Sequence, residues 1–174
     1  MPSTNMKIRL AIYDDIPRII EIEQHGGRKF SDIGMEWVTE RPSSNSRDIT
    51  EGINAKSIFV AVNDHTLAGF IHLGMVDNHG HIFEVSVDYE LQGKGVGKLL
   101  MNSAEEWAKH HNFNAISLTT FKHVAFNGPW YQSLGYIETD PDDKLPELKA
   151  IIDSERTSDL NKSERIAMIK SLDK

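Results

Sequence analysis

The sequence predicts an α+β fold: a mixed, mostly antiparallel sheet with one parallel strand pair, helices on both faces and extra helices at the C-terminus. Three observations carry this. Short apolar runs from Ile58 to Val87, cut by turn residues, read as a three-stranded antiparallel meander. Apolar residues at helical spacing from Val96 to Ala108 then lead into the apolar stretch Ala115 to Phe121, and a strand–helix–strand unit of this kind makes a parallel pair. From Asp140 the composition turns charged, with Leu145, Leu148, Ile151 and Ile152 at helical spacing.

Taken in order, Ile8, Leu10 and Ile12 alternate with polar residues as a first strand should. Asp14-Asp15-Ile16-Pro17 followed by Ile19, Ile20 and Glu23 reads as a capped amphipathic helix that ends near His25-Gly26-Gly27. Ile33, Met35, Trp37 and Val38 suggest a short, partly buried helix, Arg41 to Asn45 a loop, and Ser46 the cap of another helix through Ile53. Ile58 to Val62 and Leu67 to Gly74 form a hairpin across Asn63-Asp64-His65-Thr66, and Asp77-Asn78-His79-Gly80 turns the chain into a strand from His81 to Val87. The helix after the meander breaks at His111-Asn112-Phe113-Asn114. Leu160 through Leu172 repeats the helical pattern, so residues from about 140 to 174 read as a helical extension of a single domain spanning 1–174.

At 174 residues the chain has the length of one ordinary domain and can bury a real core. With 39% hydrophobic and 26% charged residues it has the composition of a soluble globular protein. The net charge of −7 argues against nucleic-acid binding, which needs a basic face, and suits a cationic substrate, although solubility alone explains the same charge. The absence of cysteine excludes disulfides, thiolate metal sites and a cysteine nucleophile. Met1 to Arg9 has no apolar run of signal-peptide length and no later segment has the roughly 20 apolar residues of a membrane span. The expectation is a cytoplasmic protein with no membrane partner, and a homodimer is left open.

The most informative stretch is Val85-Ser86-Val87-Asp88-Tyr89-Glu90-Leu91-Gln92-Gly93-Lys94-Gly95-Val96-Gly97-Lys98, a strand running through a turn into spaced glycines and then a helix. Glycines let backbone N–H groups close on a phosphate, and the helix that follows adds the positive end of its dipole. A Walker loop would need Gly where Lys98 stands, and so would a dinucleotide fingerprint. A tight turn that binds nothing is the bland alternative. A second segment follows at one helix and one strand's distance: Phe126-Asn127-Gly128-Pro129-Trp130-Tyr131-Gln132-Ser133-Leu134-Gly135-Tyr136. Together, Gln92-Gly93-Lys94-Gly95-Val96-Gly97 as Gln-x-x-Gly-x-Gly and Trp130-Tyr131 before Leu134-Gly135-Tyr136 resemble the signatures of the GNAT superfamily of acyl-CoA N-acyltransferases. The Asn-Gly-Pro-aromatic-Tyr block, the Phe30 to Trp37 block and the Ser163 to Met168 tail resemble a less characterised subgroup of it.

The resemblance implies a mixed sheet whose parallel strands splay apart, acetyl-CoA as co-substrate, and an N-acetyltransferase that passes the acetyl group directly to a primary amine in a ternary complex. It implies that Gln92, Gly93, Lys94, Gly95, Val96, Gly97 and Lys98 hold the pyrophosphate end. Splaying would leave backbone groups of Val85, Ser86 and Val87 for the pantetheine amides and the thioester oxygen. Asn127 would bind the pantetheine or acyl region, or else cap the helix that Gly128-Pro129 starts. Tyr131 would protonate the departing thiolate, a phenol of pKa about 10 suiting a thiol near 8.5; a core tyrosine is the alternative.

Acyl transfer also needs a base, since only roughly one alkylammonium in a thousand is deprotonated at neutral pH. Glu84 is the candidate. Strand alternation puts Glu84 and Ser86 opposite Phe83, Val85 and Val87, and partial burial would raise its pKa, although it could equally be a solvated carboxylate. Asp88 is weaker because it belongs to the turn. The acceptor, a small-molecule or protein amine, would be chosen around Arg28 to Trp37, where Phe30, Ile33 and Met35 would shape an apolar wall or serve the core. His79-x-His81 and His110-His111 lack convincing ligand spacing, so no metal is expected, and His123 is an auxiliary base to weigh. A non-catalytic acyl-CoA sensor or regulatory module is the competing function.

Overall fold

The turns predicted by their residue types close the sheet. Asp77 and Asn78 both adopt left-handed φ, 54° and 57°, the conformation a two-residue hairpin turn demands, and Asp64 does the same in the preceding hairpin. The computed structural model describes residues 5–173; the start of the Met1 to Arg9 stretch read for a leader lies outside the described residues. The strands are β1 (Met6–Leu10), β2 (Ile58–Asn63), β3 (Thr66–Val76), β4 (His79–Val87), β5 (Ala115–Phe121), β6 (Ile137–Thr139) and β7 (Arg165–Ser171). The helices are α1 (Ile16–Gly26), α2 (Arg28–Ser31), α3 (Glu36–Thr39), α4 (Ser46–Asn54), α5 (Val96–His110), α6 (Gly128–Ser133) and α7 (Pro146–Arg156). One seven-stranded sheet runs β1-β2-β3-β4-β5-β7-β6. Its parallel ladder joins Gly80, His81 and Ile82 of β4 to Ile116, Ser117 and Leu118 of β5. This is the α+β class and the mixed topology that the sequence predicts.

Contacts divide the chain into two units. The first holds the chain up to Leu73 together with Glu84–Ala104. Its core is Ile19 and Ile22 of α1, Ile49 of α4, Ile58 and Val60 of β2, and Leu67 and Phe70 of β3, the apolar stripe that the helical and strand periods place on one side. Asn45, one residue before the predicted Ser46, caps α4 by accepting from Asp48 N at 2.9 Å. The second unit holds Gly74–Phe83 and the chain from Glu105 onward. There Val76, Leu148, Ile152 and Ala167 pack together. Helix α7 has no cap of its own. The Asp77 carboxylate from the distant hairpin turn accepts from Glu147 N at 2.9 Å and Leu148 N at 2.8 Å, and the Glu147 carboxylate accepts from Asp77 N in return.

The C-terminal reading needs correction. Pro146–Arg156 is helical, but Leu160 to Leu172 is a 3₁₀ turn at Asp159–Lys162 followed by strand β7. Ile166, Ala167 and Met168 are at most 3% exposed, and β7 pairs antiparallel with β5 on one side and β6 on the other. A strand buried on both faces reads as a continuous apolar run, which periodicity cannot tell from helix. No helix among the described residues is long and apolar enough to cross a membrane.

Candidate functional site

In the first unit β4 delivers its last residues to a braced turn. The Asp88 carboxylate accepts from Glu90 N at 3.1 Å and from Arg18 at 2.7 Å, so this buried acid holds the turn. A 3₁₀ turn, Tyr89–Leu91, follows. The Gln92 amide nitrogen then donates to Val87 O at 3.0 Å and to Gly26 O at 3.2 Å. Gly26 is obligatory beneath it, because a Cβ there would stand 2.8 Å from Val87 O. Two expectations are amended by this. Gln92 spends its amide donors on the backbone as a brace, and the Val87 carbonyl, expected to be unpaired, accepts from it.

Beyond the brace, Gly93 and Gly95 take φ of 74° and 86°. A Cβ at either would find nothing within 4 Å, so the space beside them is open. Val96, 3% exposed, starts α5, and Leu100, Met101 and Ala104 anchor its buried face. Gly97 and Lys98 lie in its first turn, where helix N–H groups have no intrahelical acceptor and the dipole favours an anion. Lys94 and Lys98 are exposed. A pyrophosphate fits these features: free N–H groups, room left by missing side chains, and two exposed cations in the same segment.

Glu84 lies half-buried on β4, and the Ser86 hydroxyl donates to its Oε1 at 2.8 Å, as the predicted alternation requires. Lys29 of α2 interacts with it electrostatically. Burial pushes the Lys29 ammonium below the usual lysine range while the Glu84 charge pulls it back up. Sequence reasoning missed Lys29, since nothing in the pattern around Arg28 distinguishes it from a solvated surface lysine. Its Nζ lies 5.8 Å from the Phe30 ring centroid. Phe30 and Met35 are half-buried and linked by a backbone bond, Met35 N to Phe30 O at 2.9 Å, while Ile33 is 50% exposed. None of the three is a core residue.

In the second unit, α6 opens after Asn127. Its side chain does not cap the helix, which removes the capping alternative, and its buried Oδ1 has no hydrogen-bond partner. Asn127 O accepts from Tyr131 N at 2.9 Å, and Tyr131 O from Tyr136 N at 3.1 Å, so one backbone frame holds all three residues. Tyr131, 7% exposed, has its ring centroid 5.0 Å from that of Trp130 and 6.1 Å from that of Tyr136, both edge to face. Tyr136 is fully buried and its hydroxyl is also unpartnered. Burial first, then the nearby Glu105 charge and Tyr131, hold the Tyr136 phenol far above the usual range. Glu105 itself is tied to Lys170 at 2.8 Å.

Three of the histidines have polar partners in the second unit. His81 Nδ1 bonds Ser117 Oγ at 2.8 Å, His111 bonds the Trp107 carbonyl at 2.8 Å, and His123 pairs with Glu164 at 3.0 Å. Among the described residues no group of three or more His, Asp or Glu side chains could hold a metal ion.

A family model described as the acetyltransferase (GNAT) family matches residues 21–136. The fold is similar to that of PaiA N-acetyltransferase from Thermoplasma acidophilum in complex with coenzyme A, at TM-score 0.72 and 20% identity over 96% of this chain and 99% of that one. N-acetylglutamate synthase from Neisseria gonorrhoeae, complexed with coenzyme A and N-acetyl-glutamate, matches at TM-score 0.73 and 18% identity over 97% of this chain and 35% of that one. A putative streptothricin acetyltransferase from Bacillus anthracis in complex with acetyl coenzyme A matches at TM-score 0.53 and 26% identity, over 67% of this chain and 62% of that one.

Proposed function

Because the chain belongs to the acetyltransferase (GNAT) family, we propose that it is an N-acetyltransferase moving an acetyl group from acetyl-CoA to a primary amine, by direct attack in a ternary complex. The observation that carries this is the turn at Gly93 and Gly95, left-handed, unobstructed and set at the N-terminus of α5. The partnerless Oδ1 of Asn127 supports a second contact, since a buried acceptor without a donor costs free energy until a ligand amide supplies one.

Bound acetyl-CoA supplies an acyl carbon activated as a thioester. Glu84 takes a proton from the acceptor ammonium, leaving the amine lone pair free to attack that carbon. As the nitrogen–carbon bond forms and the carbon–sulfur bond breaks, the Tyr131 phenol gives its proton to sulfur. The second amine proton returns through solvent to the phenolate, so each turnover releases one proton. Ser86 keeps the Glu84 carboxylate aligned through its 2.8 Å hydrogen bond. The acceptor, a small-molecule or protein amine, would approach along the segment carrying Lys29, Phe30, Ile33 and Met35.

The test is free-thiol release from acetyl-CoA with a panel of primary amines, run on wild type and Tyr131→Phe beside calorimetric titration with acetyl-CoA. Tyr131→Phe is expected to lower kcat by about 10²–10⁴ while leaving coenzyme affinity unchanged. Saturable binding with no turnover on any amine in wild type would favour the sensor reading.

A further inference from the structure

Helix α2 is four residues long and buries none of them fully, so propensity alone cannot hold it in place. Side-chain tethers add to its packing, and they converge on the turn before the glycines. The Tyr89 hydroxyl donates to Asp32 Oδ2 at 2.6 Å, just past the end of α2. The Arg28 guanidinium, at its start, sits 4.7 Å above the centroid of the same ring. One residue before the glycines, Gln92 grips Gly26 O at the end of α1. The Tyr89 side chain thus spans both ends of the short helix that carries Lys29, the cation interacting with Glu84, and Phe30. Three residues separate Tyr89 from Gly93, and they form the 3₁₀ turn and the Gln92 brace.

We propose that Tyr89 is a positioning residue that ties α2 to the glycine turn, so that a filled coenzyme cradle and an ordered acceptor-side segment favour one another. This rests on the reading of Gly93 to Lys98 as a coenzyme cradle. The physical logic is linkage: if a pyrophosphate settles the turn and the turn holds α2, then ordering α2 must favour the coenzyme by the same factor. Tyr89 contributes no group to the chemistry and acts through the residues it holds.

Hydrogen exchange of the amides from Gly26 to Asp32, measured with and without saturating acetyl-CoA, tests this beside calorimetric titration of the same samples. In wild type the coenzyme is expected to slow exchange in this segment about threefold to tenfold, the worth of one ordered hydrogen bond. Tyr89→Phe, which keeps the ring under Arg28 but loses the bond to Asp32, should still bind acetyl-CoA and show little of that slowing. Asp32→Asn preserves an acceptor for the Tyr89 hydroxyl and should keep it, whereas Asp32→Ala should not. A merely structural tyrosine would speed exchange in the free protein without changing the increment the coenzyme adds. Coenzyme binding with equal slowing in wild type and Tyr89→Phe, or with none in wild type, overturns the coupling and leaves the cradle reading standing. Absence of binding by folded wild type overturns both.

Discussion

Around Gly93 and Gly95 the chain is left-handed, exposed and clear of neighbouring side chains, whereas around Tyr131 and Tyr136 it is buried and aromatic, with the Asn127 Oδ1 and the Tyr136 hydroxyl lacking hydrogen-bond partners. The first region offers backbone donors and empty space; its side chains, apart from two exposed lysines, face elsewhere or, like Gln92, brace the turn. The second offers side-chain atoms held out of water by their neighbours. A backbone site is insensitive to what its residues are so long as the glycines remain, while a side-chain site is lost atom by atom.

The sharpest way to break this contrast is Gly95→Glu. A side chain at φ 86° strains the backbone, fills the open space and brings a negative charge to a phosphate site. Acetyl-CoA affinity measured by calorimetry should fall about 100-fold or more, roughly 3 kcal/mol, while the backbone strain lowers the melting temperature by only a few degrees, about 2–8 °C. Retained affinity would show that the glycine turn is not the cradle.

A smaller effect belongs to the aromatic region. Asn127→Ala removes a buried oxygen that no protein donor satisfies and a side chain that caps nothing. Acetyl-CoA affinity should drop about tenfold, the worth of one hydrogen bond in a desolvated site, while thermal stability holds or rises slightly. A clear fall in stability with affinity unchanged would return Asn127 to a purely structural role.

The mildest test asks whether the second unit is also where stability depends on pH. Burial holds His81 down to about 4, against about 6.5 when unfolded, with Asp77 opposing weakly. Between these values the unfolded chain binds the proton and the native one does not, so stability present above pH 6.5 is lost progressively as pH falls toward 4. From pH 7 to 5 this one group accounts for about 2 kcal/mol, or a melting temperature about 5 °C lower in a chain of this size. His81→Gln, which cannot titrate, should flatten that slope in a pH series of melting curves whatever its effect at pH 7.

Much of this was legible because local chemistry leaves local marks. The Asp77-Asn78 turn, the Pro17 start of α1, the Ala115–Phe121 strand and the glycines before α5 each answer to steric rules that act within a few residues. Strand β7 was not legible: Ile166 to Ile169 is an apolar run of four, too short for its period to separate helix from strand, and only pairing with β5 and β6 decides the matter. Tyr89 and Lys29 carried no signal either. Tyr89 stands out only once Asp32, 57 residues away, is brought to its hydroxyl.

What the sequence by itself determined was the fold class, the position of the glycine turn and, through its two motifs, the family, since backbone conformation at a glycine and apolar alternation are properties of neighbouring residues. Tertiary structure alone decided that Gln92 braces, that Asn127 is left without a donor, that the Tyr136 phenol is fully buried, and that Tyr89 meets both Asp32 and Arg28. Those outcomes depend on desolvation and on partners far apart in the chain, and neither is written into any short stretch of it.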